Sequence, residues 1–361
     1  MMATSITARF QLNYGSFQLQ ADIDLPGSGI SVLFGESGSG KTSLLRCMAG
    51  LERPGSGYFK INGSVWQDSS NGIFLPTHKR RLGYVFQEAN LFPHLNVNNN
   101  LQFGLKRAAT IDHSHTSLSS VIDLLGIGHL LGRMPDRLSG GEKQRVAIAR
   151  ALVLNPDILL MDEPLASLDL KRKQEVMPYL LKLQYELAIP IVYVTHSWQE
   201  VTQLANFLVM LDRGRVIAAG ELTELIGRLD LTLAQNKEAA SVWQGKVTSH
   251  DSHFQLTAVD FGGCALHLPV IDQAIGTSLR IQIQARDVSI ARCEPKATSI
   301  LNVLPATIKG FADDDSGHTV VSLDCGNNIL LSHITRKSAQ MLELTPGLSV
   351  FAQIKGTSLL H

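Results

Sequence analysis

The 361-residue chain has no run of about 18 consecutive apolar residues, so no segment reads as a membrane-spanning helix. Its opening stretch, MMATSITARFQLNYG, has no apolar core, and nothing there reads as a secretion signal. Net charge is missing too: 32 Lys and Arg balance 32 Asp and Glu. That balance removes the global field that would draw a protein to nucleic acid or anionic lipid. Cysteine is sparse, and Cys47, Cys264, Cys293 and Cys325 form no CxxC pair. Their scatter argues against a disulfide frame or a zinc site and fits a reducing compartment. What remains is 44% hydrophobic and 18% charged, ample for the cores of about two domains.

The first half alternates short apolar runs with helical patterns, as in a parallel sheet flanked by helices. Ile30–Phe34, Leu82–Phe86, Ile158–Met161 and Ile191–Thr195 suit strands buried on both faces. Between Glu88 and Arg137 strand character vanishes; Ser117–Leu125 and Gly128–Met134 look helical and Asn96–Asn100 turn-like, which suggests a helical insert. Glu221–Gln235 reads as a last amphipathic helix and linker. From Val242 onward short strands and turn signals follow, notably Leu279–Ala285, Ala306–Phe311, Thr319–Cys325 and Ile329–Ile334. A helix over Thr335–Leu344, capped by Thr335, and a final strand around VFAQI complete the pattern of a small β-barrel.

The chemistry-bearing residues precede about residue 200. Gly35, Glu36, Ser37, Gly38, Ser39, Gly40, Lys41, Thr42 and Ser43 spell GESGSGKTS between an apolar strand and a helical pattern. They satisfy GxxxxGK[ST], in which backbone N–H groups and a helix N-terminus cradle a phosphate. Lys41 would reach the β- and γ-phosphates, and the Thr42 hydroxyl would ligate Mg²⁺. In ILLMDEP a buried strand ends in two carboxylates, where open α/β sheets place ligands. Asp162 would hold the magnesium through water, and Glu163 would orient and deprotonate an attacking water. Ser139, Gly140 and Gly141 open a second glycine-pair helix in LSGGEKQRVAIARAL, with Val146, Ala149 and Val153 facing inward. Since one phosphate loop already holds the nucleotide, this helix start would face a nucleotide on a second copy of the chain.

A phosphate loop, LSGGEKQ and ILLMDE in this order resemble the nucleotide-binding domain of ABC transporters over about residues 1–225. The resemblance implies a P-loop NTPase fold of ABC type with a helical subdomain at about 88–137. It also implies two ATP sites at a homodimer interface, each closed by the other subunit's signature. On that pattern Gln87 matches the glutamine that touches magnesium and water. Ser167–Leu168–Asp169 matches the D-loop, and His196 the switch histidine at the γ-phosphate. Either Tyr14 or Phe17 would stack on adenine.

LFPHLNV beside Gln87 resembles the importer branch, and residues 67–94 resemble molybdate-importer ATPases in particular. The tail is similar to the small OB-like barrel (Mop/TOBE type) shared with molybdate-binding proteins, over roughly 297–361. The implied division is 1–234 for the nucleotide-binding domain, 235–296 for a linker and first β segment, and 297–361 for the oxyanion-binding domain. Thr298, Ser299, Lys355 and the backbone near Gly356 are the implied oxyanion ligands. Leu301 stands where this family often has an arginine, which removes a charge-assisted donor. A barrel serving only packing or dimerisation is the other reading of the tail.

The implied function is an ATPase, with ATP and Mg²⁺ as cofactors, peripheral to the cytoplasmic face of the cell membrane. It would act with two transmembrane permease subunits and an extracytoplasmic molybdate-binding protein, without nucleic acid. The alternatives are an importer ATPase for sulfate or thiosulfate, tungstate, ferric ion or sugar, or a soluble ABC ATPase or molybdate sensor.

Overall fold

The computed structural model describes residues 5–15, 17–106, 117–231, 239–314 and 316–355. It resolves into two compact units, Met1–Gly220 and Glu221–His361.

The first unit is built on one 11-stranded sheet. Strands β1 (Ser5–Tyr14), β2 (Phe17–Pro26), β4 (Ser56–Ile61), β5 (Ser64–Asp68) and β6 (Ile73–Phe74) form its antiparallel side. Burial alternates along β1 and β2, as expected for strands with one covered face. The other side contains β3 (Ile30–Phe34), β7 (Leu82–Val85), β8 (Ile158–Asp162), β9 (Ile191–Thr195) and β10 (Phe207–Asp212). These run parallel in the order β10-β3-β9-β8-β7, and β11 (Arg215–Glu221) bridges to β2. Every residue of β8 and β9 is buried, which is why both read as unbroken apolar runs.

Helix α1 (Lys41–Ala49) buries Leu44, Leu45 and Met48 in the core beneath the sheet. The helices α2 (Val97–Leu105), α3 (Leu118–Leu124), α4 (Gly140–Leu152), α5 (Leu170–Glu186) and α6 (Trp198–Leu204) follow. Val146, Ala149 and Val153 are buried, as their spacing requires.

Two expectations for the insert need correction. Asn96–Asn100 is not a free turn: Asn96 caps α2 by accepting from the Asn99 N–H. Asn100 is fully buried and donates to the carbonyls of Phe92, Leu95 and Asn96. A polar residue is tolerated there because its amide meets backbone partners. Gly128–Met134 forms only a 3₁₀ turn at Gly128–Leu130, too short for the apolar periodicity to extend a helix.

In the second unit α7 (Leu222–Ile226) occupies only the start of the expected 221–235 helix, whose last residues lie outside the described set. The strands β12 (Ala240–Asp251), β13 (Leu256–Asp260), β14 (Ala265–Pro269) and β15 (Ser278–Gln284) form one sheet. A second sheet has the order β16-β20-β17-β18-β19. Its members are β16 (Val288–Ala291), β17 (Asn302–Asp313), β18 (His318–Asp324), β19 (Ile329–Thr335) and β20 (Ser349–Ile354). Helix α8 (Arg336–Met341) is capped by Thr335, whose hydroxyl accepts from the Ser338 N–H. Both sheets contribute to one core, from Trp243 and Phe261 to Val321 and Ile354. The all-β unit with curled, OB-like sheets expected for the tail is therefore present.

Candidate functional site

Four parallel neighbours, β3, β9, β8 and β7, deliver their carboxyl ends to one edge. Their register pairs Phe34 with Thr195, Val194 with Asp162, and Met161 with Val85. Residues just past those positions, Gly35, His196, Glu163 and Gln87, therefore leave the sheet in one row. This is the crevice where doubly wound sheets hold ligands.

The loop after β3 needs glycine at two points. A Cβ on Gly35 would collide with the Leu211 carbonyl oxygen and meet Ser39 Oγ at 2.7 Å. Gly40, at φ 100°, turns the chain into α1 and lies against the Phe17 ring. Lys41 is 4% exposed, and its ammonium donates to the Gly35 and Glu36 carbonyls at 2.8 and 2.7 Å. Burial lowers its pKa, against the opposing pull of Glu163 and Asp162. Ser39 Oγ is buried with no hydrogen-bond partner inside the loop, an unusual cost that a phosphate oxygen would relieve. Glu36, Ser37 and Gly38 are exposed, and Gly38 has open space beside it. Ser43 lies in the first turn of α1.

Thr42 donates from Oγ1 to Asp162 Oδ1 at 2.8 Å, and Tyr84 donates from its hydroxyl to Asp162 Oδ2 at 3.1 Å. Burial raises the Asp162 pKa; these hydrogen bonds oppose the shift and neighbouring Glu163 adds to it. The result is a set of oxygen donors suited to a hard cation such as Mg²⁺. Glu163 sits at φ 44°, a left-handed conformation costly for a side-chain-bearing residue. Its N–H donates to the Val194 carbonyl, and its carbonyl accepts from the Ala166 N–H. The bend turns the side chain toward His196, whose Nδ1 lies 3.2 Å from Glu163 Oε2.

Gln87 is exposed two residues beyond β7. Ser139 caps α4 in a full capping box: its N–H donates to Glu142 Oε2 at 2.7 Å, and its hydroxyl accepts from the Glu142 N–H. A Cβ on Gly140 would meet Leu168 at 2.8 Å, and one on Gly141 would meet Val176 at 3.3 Å. Among the described residues no hydrogen bond or ion pair joins Ser139, Gly140 or Gly141 to Lys41, Asp162 or Glu163. Asp169 of the Ser167–Asp169 stretch caps α5 by accepting from the Arg172 N–H. Tyr14 is 47% exposed at the β1–β2 hairpin end, whereas Phe17 is partly buried against Gly40.

Besides Tyr84 beside Asp162, two more supports escaped the sequence reading. Glu200 is buried and accepts from Tyr193, Thr195 and Lys173, bracing the turn that carries His196. Arg80 is also buried and donates to the Leu75, Cys47 and Met48 carbonyls, closing the C-terminus of α1. Burial lowers its pKa to about 10. Its place in the basic run HKRR gave no signal, since such runs usually face solvent.

In the second unit Thr298 and Ser299 are exposed, and Thr298 Oγ1 accepts from the Ile300 N–H. Asn302, first in β17, pairs with Ile354, last in β20. The 298–301 loop and exposed Lys355 thus leave the sheet at one edge; Gly356 lies outside the described residues. Leu301 is 65% exposed there.

A family model described as ABC transporter matches residues 20–166, and one described as TOBE domain matches 298–360. The chain is 50% identical over 361 residues to the molybdenum import ATP-binding protein ModC 1 of Azotobacter vinelandii, covering all of both chains. It is 51% identical to the ModC protein of Aromatoleum aromaticum, over 99% of this chain and 94% of that one. The ModC protein of Methylococcus capsulatus is 50% identical, with 99% of each chain covered. Among solved structures, CbiO1 from Clostridium perfringens, part of the ABC transporter complex CbiONQ, matches with a TM-score of 0.54 and 27% identity. That match covers 63% of this chain and 91% of CbiO1.

Proposed function

The chain belongs to the ABC transporter family, among its molybdenum import ATP-binding proteins, and from that premise we propose that it hydrolyses ATP to power molybdate uptake. The observation carrying this reading is its likeness, over its whole length, to a molybdenum import ATP-binding protein. It binds ATP and is part of a transporter complex with membrane components. No helix among the described residues is long and apolar enough to cross a membrane. We place it on the cytoplasmic face as a homodimer, beneath two permease subunits supplied by an extracytoplasmic molybdate-binding protein.

In this reading residues 1–234 are the nucleotide-binding domain and 297–361 the oxyanion-binding domain, with Thr298, Ser299 and Lys355 as its ligands. Residues 35–43 wrap the phosphates, and the Lys41 ammonium neutralises charge that grows at the γ-phosphate. Thr42 and Asp162 would hold Mg²⁺, which when bound would supply charge neutralisation to the phosphates. Glu163 accepts a proton from the attacking water, and His196 keeps that carboxylate turned toward it. Gln87 positions the same water. Tyr14, the more exposed of the two hairpin aromatics, stacks on adenine. Ser139, Gly140 and Gly141 close on the nucleotide of the partner subunit, so bulk water leaves only when two chains meet.

The test is ATP hydrolysis in membranes reconstituted with the permease and binding protein. Molybdate-loaded binding protein is expected to stimulate turnover several-fold, with sulfate giving no comparable effect. Equal stimulation by sulfate would reject molybdate as the distinguishing substrate.

A further inference from the structure

Asp314, His318 and His333 lie in the second unit, apart from every residue assigned above. One ligand atom from each, all three partly buried, lies within 4.8 Å of the others. Topology brings them together. Asp314 stands in the turn between β17 and β18, and His318 begins β18. On β19, His333 pairs with Val320. Val320 and His318 are two residues apart and share a face of the sheet, so His333 and His318 are diagonal neighbours. Their ring centroids lie 4.8 Å apart.

The ligand atoms converge on one carboxylate oxygen. Asp314 Oδ2 is 3.5 Å from His333 Nε2 and 3.7 Å from His318 Nδ1. His333 Nε2 is buried and has only this long contact to Asp314. Four ligands around Zn²⁺ at about 2.0–2.1 Å stand roughly 3.3 Å apart. The two separations to Asp314 Oδ2 are within a few tenths of an ångström of that, and the two imidazole nitrogens, within 4.8 Å of each other, close the remainder by side-chain rotation. The carboxylate is also held in place. Its Oδ1 accepts from the backbone N–H groups of Ser316 at 2.9 Å and His318 at 2.7 Å, which leaves Oδ2 facing the rings. Arg336 donates to the Asp314 carbonyl at 2.9 Å. Outer contacts of this kind fix ligand orientation in metal sites.

We propose that Asp314 Oδ2, His318 Nδ1 and His333 Nε2 bind a divalent late transition cation of the Zn²⁺ class, leaving a fourth position for water or a small ligand. Two imidazoles and one carboxylate select such cations over Mg²⁺ or Ca²⁺, which prefer oxygen alone. The scattered cysteines do not bear on this site, which uses none. Bound metal clips the β17–β18 turn to β19. The competing account is a turn held by Ser316, whose hydroxyl donates to Asp314 Oδ2 at 2.6 Å and lies 3.1 Å from His318 Nδ1. A cation takes the place of that hydroxyl, so the two accounts assign Ser316 opposite importance.

The experiment uses full-length, nucleotide-free protein stripped with chelator and titrated with Zn²⁺ against a chromophoric competitor. Co²⁺ absorption serves as a second readout. Wild-type protein is expected to take up one tight equivalent per chain, with a tetrahedral or five-coordinate Co²⁺ band. His318→Gln and His333→Gln should each weaken uptake on the order of 100-fold and lose the band. Ser316→Ala and the exposed first-unit control His129→Gln should keep both. His318 is 42% exposed, so its variant remains informative even if His333→Gln folds poorly. No tight equivalent in wild type, or full uptake by His318→Gln, overturns the proposal.

Discussion

At the scale of single residues, the paired acids that end β8 are assigned opposite tasks by their surroundings. Asp162 is 9% exposed between Thr42 and Tyr84, and its burial raises its pKa. A carboxyl whose folded pKa lies above its unfolded value of about 3.9 contributes stability at low pH, which is lost as pH rises through the folded pKa. Asp162→Asn should therefore raise the melting temperature of nucleotide-free protein at neutral pH. The gain should shrink as pH falls toward 4. Melting curves of both proteins across that range check it; a gain that is flat or grows in acid would contradict the burial argument. Glu163 instead is turned out of the sheet by its left-handed backbone and meets His196. Glu163→Gln keeps the shape and removes the base. Steady-state ATP turnover should fall about 10²–10⁴-fold while ATP binding persists. Unchanged turnover would remove Glu163 from the reaction.

At the scale of elements, the tail depends on one amide. Asn302 is 2% exposed; its Oδ1 accepts from the His267 N–H at 2.7 Å, and its Nδ2 donates to the His267 carbonyl at 3.0 Å. It thereby ties β17 to β14 across the two sheets. Asn302→Ala strands two backbone groups and should cost about 2–3 kcal/mol. Faster amide exchange along β14 and β17 would report that loss, and unaltered exchange would deny the tie. The sequence showed an asparagine beside Leu301 but not what it reaches, because its partner lies 35 positions earlier in another sheet. The same limit shaped the rest of the reading. Strands buried on both faces, such as Ile158–Asp162, announced themselves as apolar runs. The antiparallel strands β1, β2 and β4 alternate with polar positions and give a weaker signal. Asn96–Asn100 looked like a turn because a capping asparagine and a buried one are both polar in composition. The candidate site was legible where local motifs coincide with strand ends. The long-range braces Tyr84, Arg80 and Glu200 were not, since contact across the fold leaves no local pattern.

At the scale of the whole molecule, the question is why one chain carries two helix starts suited to phosphate. Ser139 already caps its own helix, and no described contact joins it to Lys41 or Glu163. If each signature serves the partner's nucleotide, a charge at this cap acts on association and leaves binding by one chain intact. Ser139→Asp provides that charge with little cost to the fold, because aspartate caps helices as well as serine. Its carboxylate would face the partner's triphosphate, and like charges at that range repel strongly once water is excluded. The background for the test is Glu163→Gln, in which bound ATP is not consumed. That protein should sediment as a dimer with ATP and as a monomer without it. Adding Ser139→Asp should leave ATP affinity within about twofold, since a cap of equal quality leaves each chain's own loop undisturbed. ATP-driven dimerisation should be lost, and high salt should restore it partly by screening the repulsion. Dimerisation as complete as in Glu163→Gln alone would mean that the signature does not close on a neighbour's nucleotide.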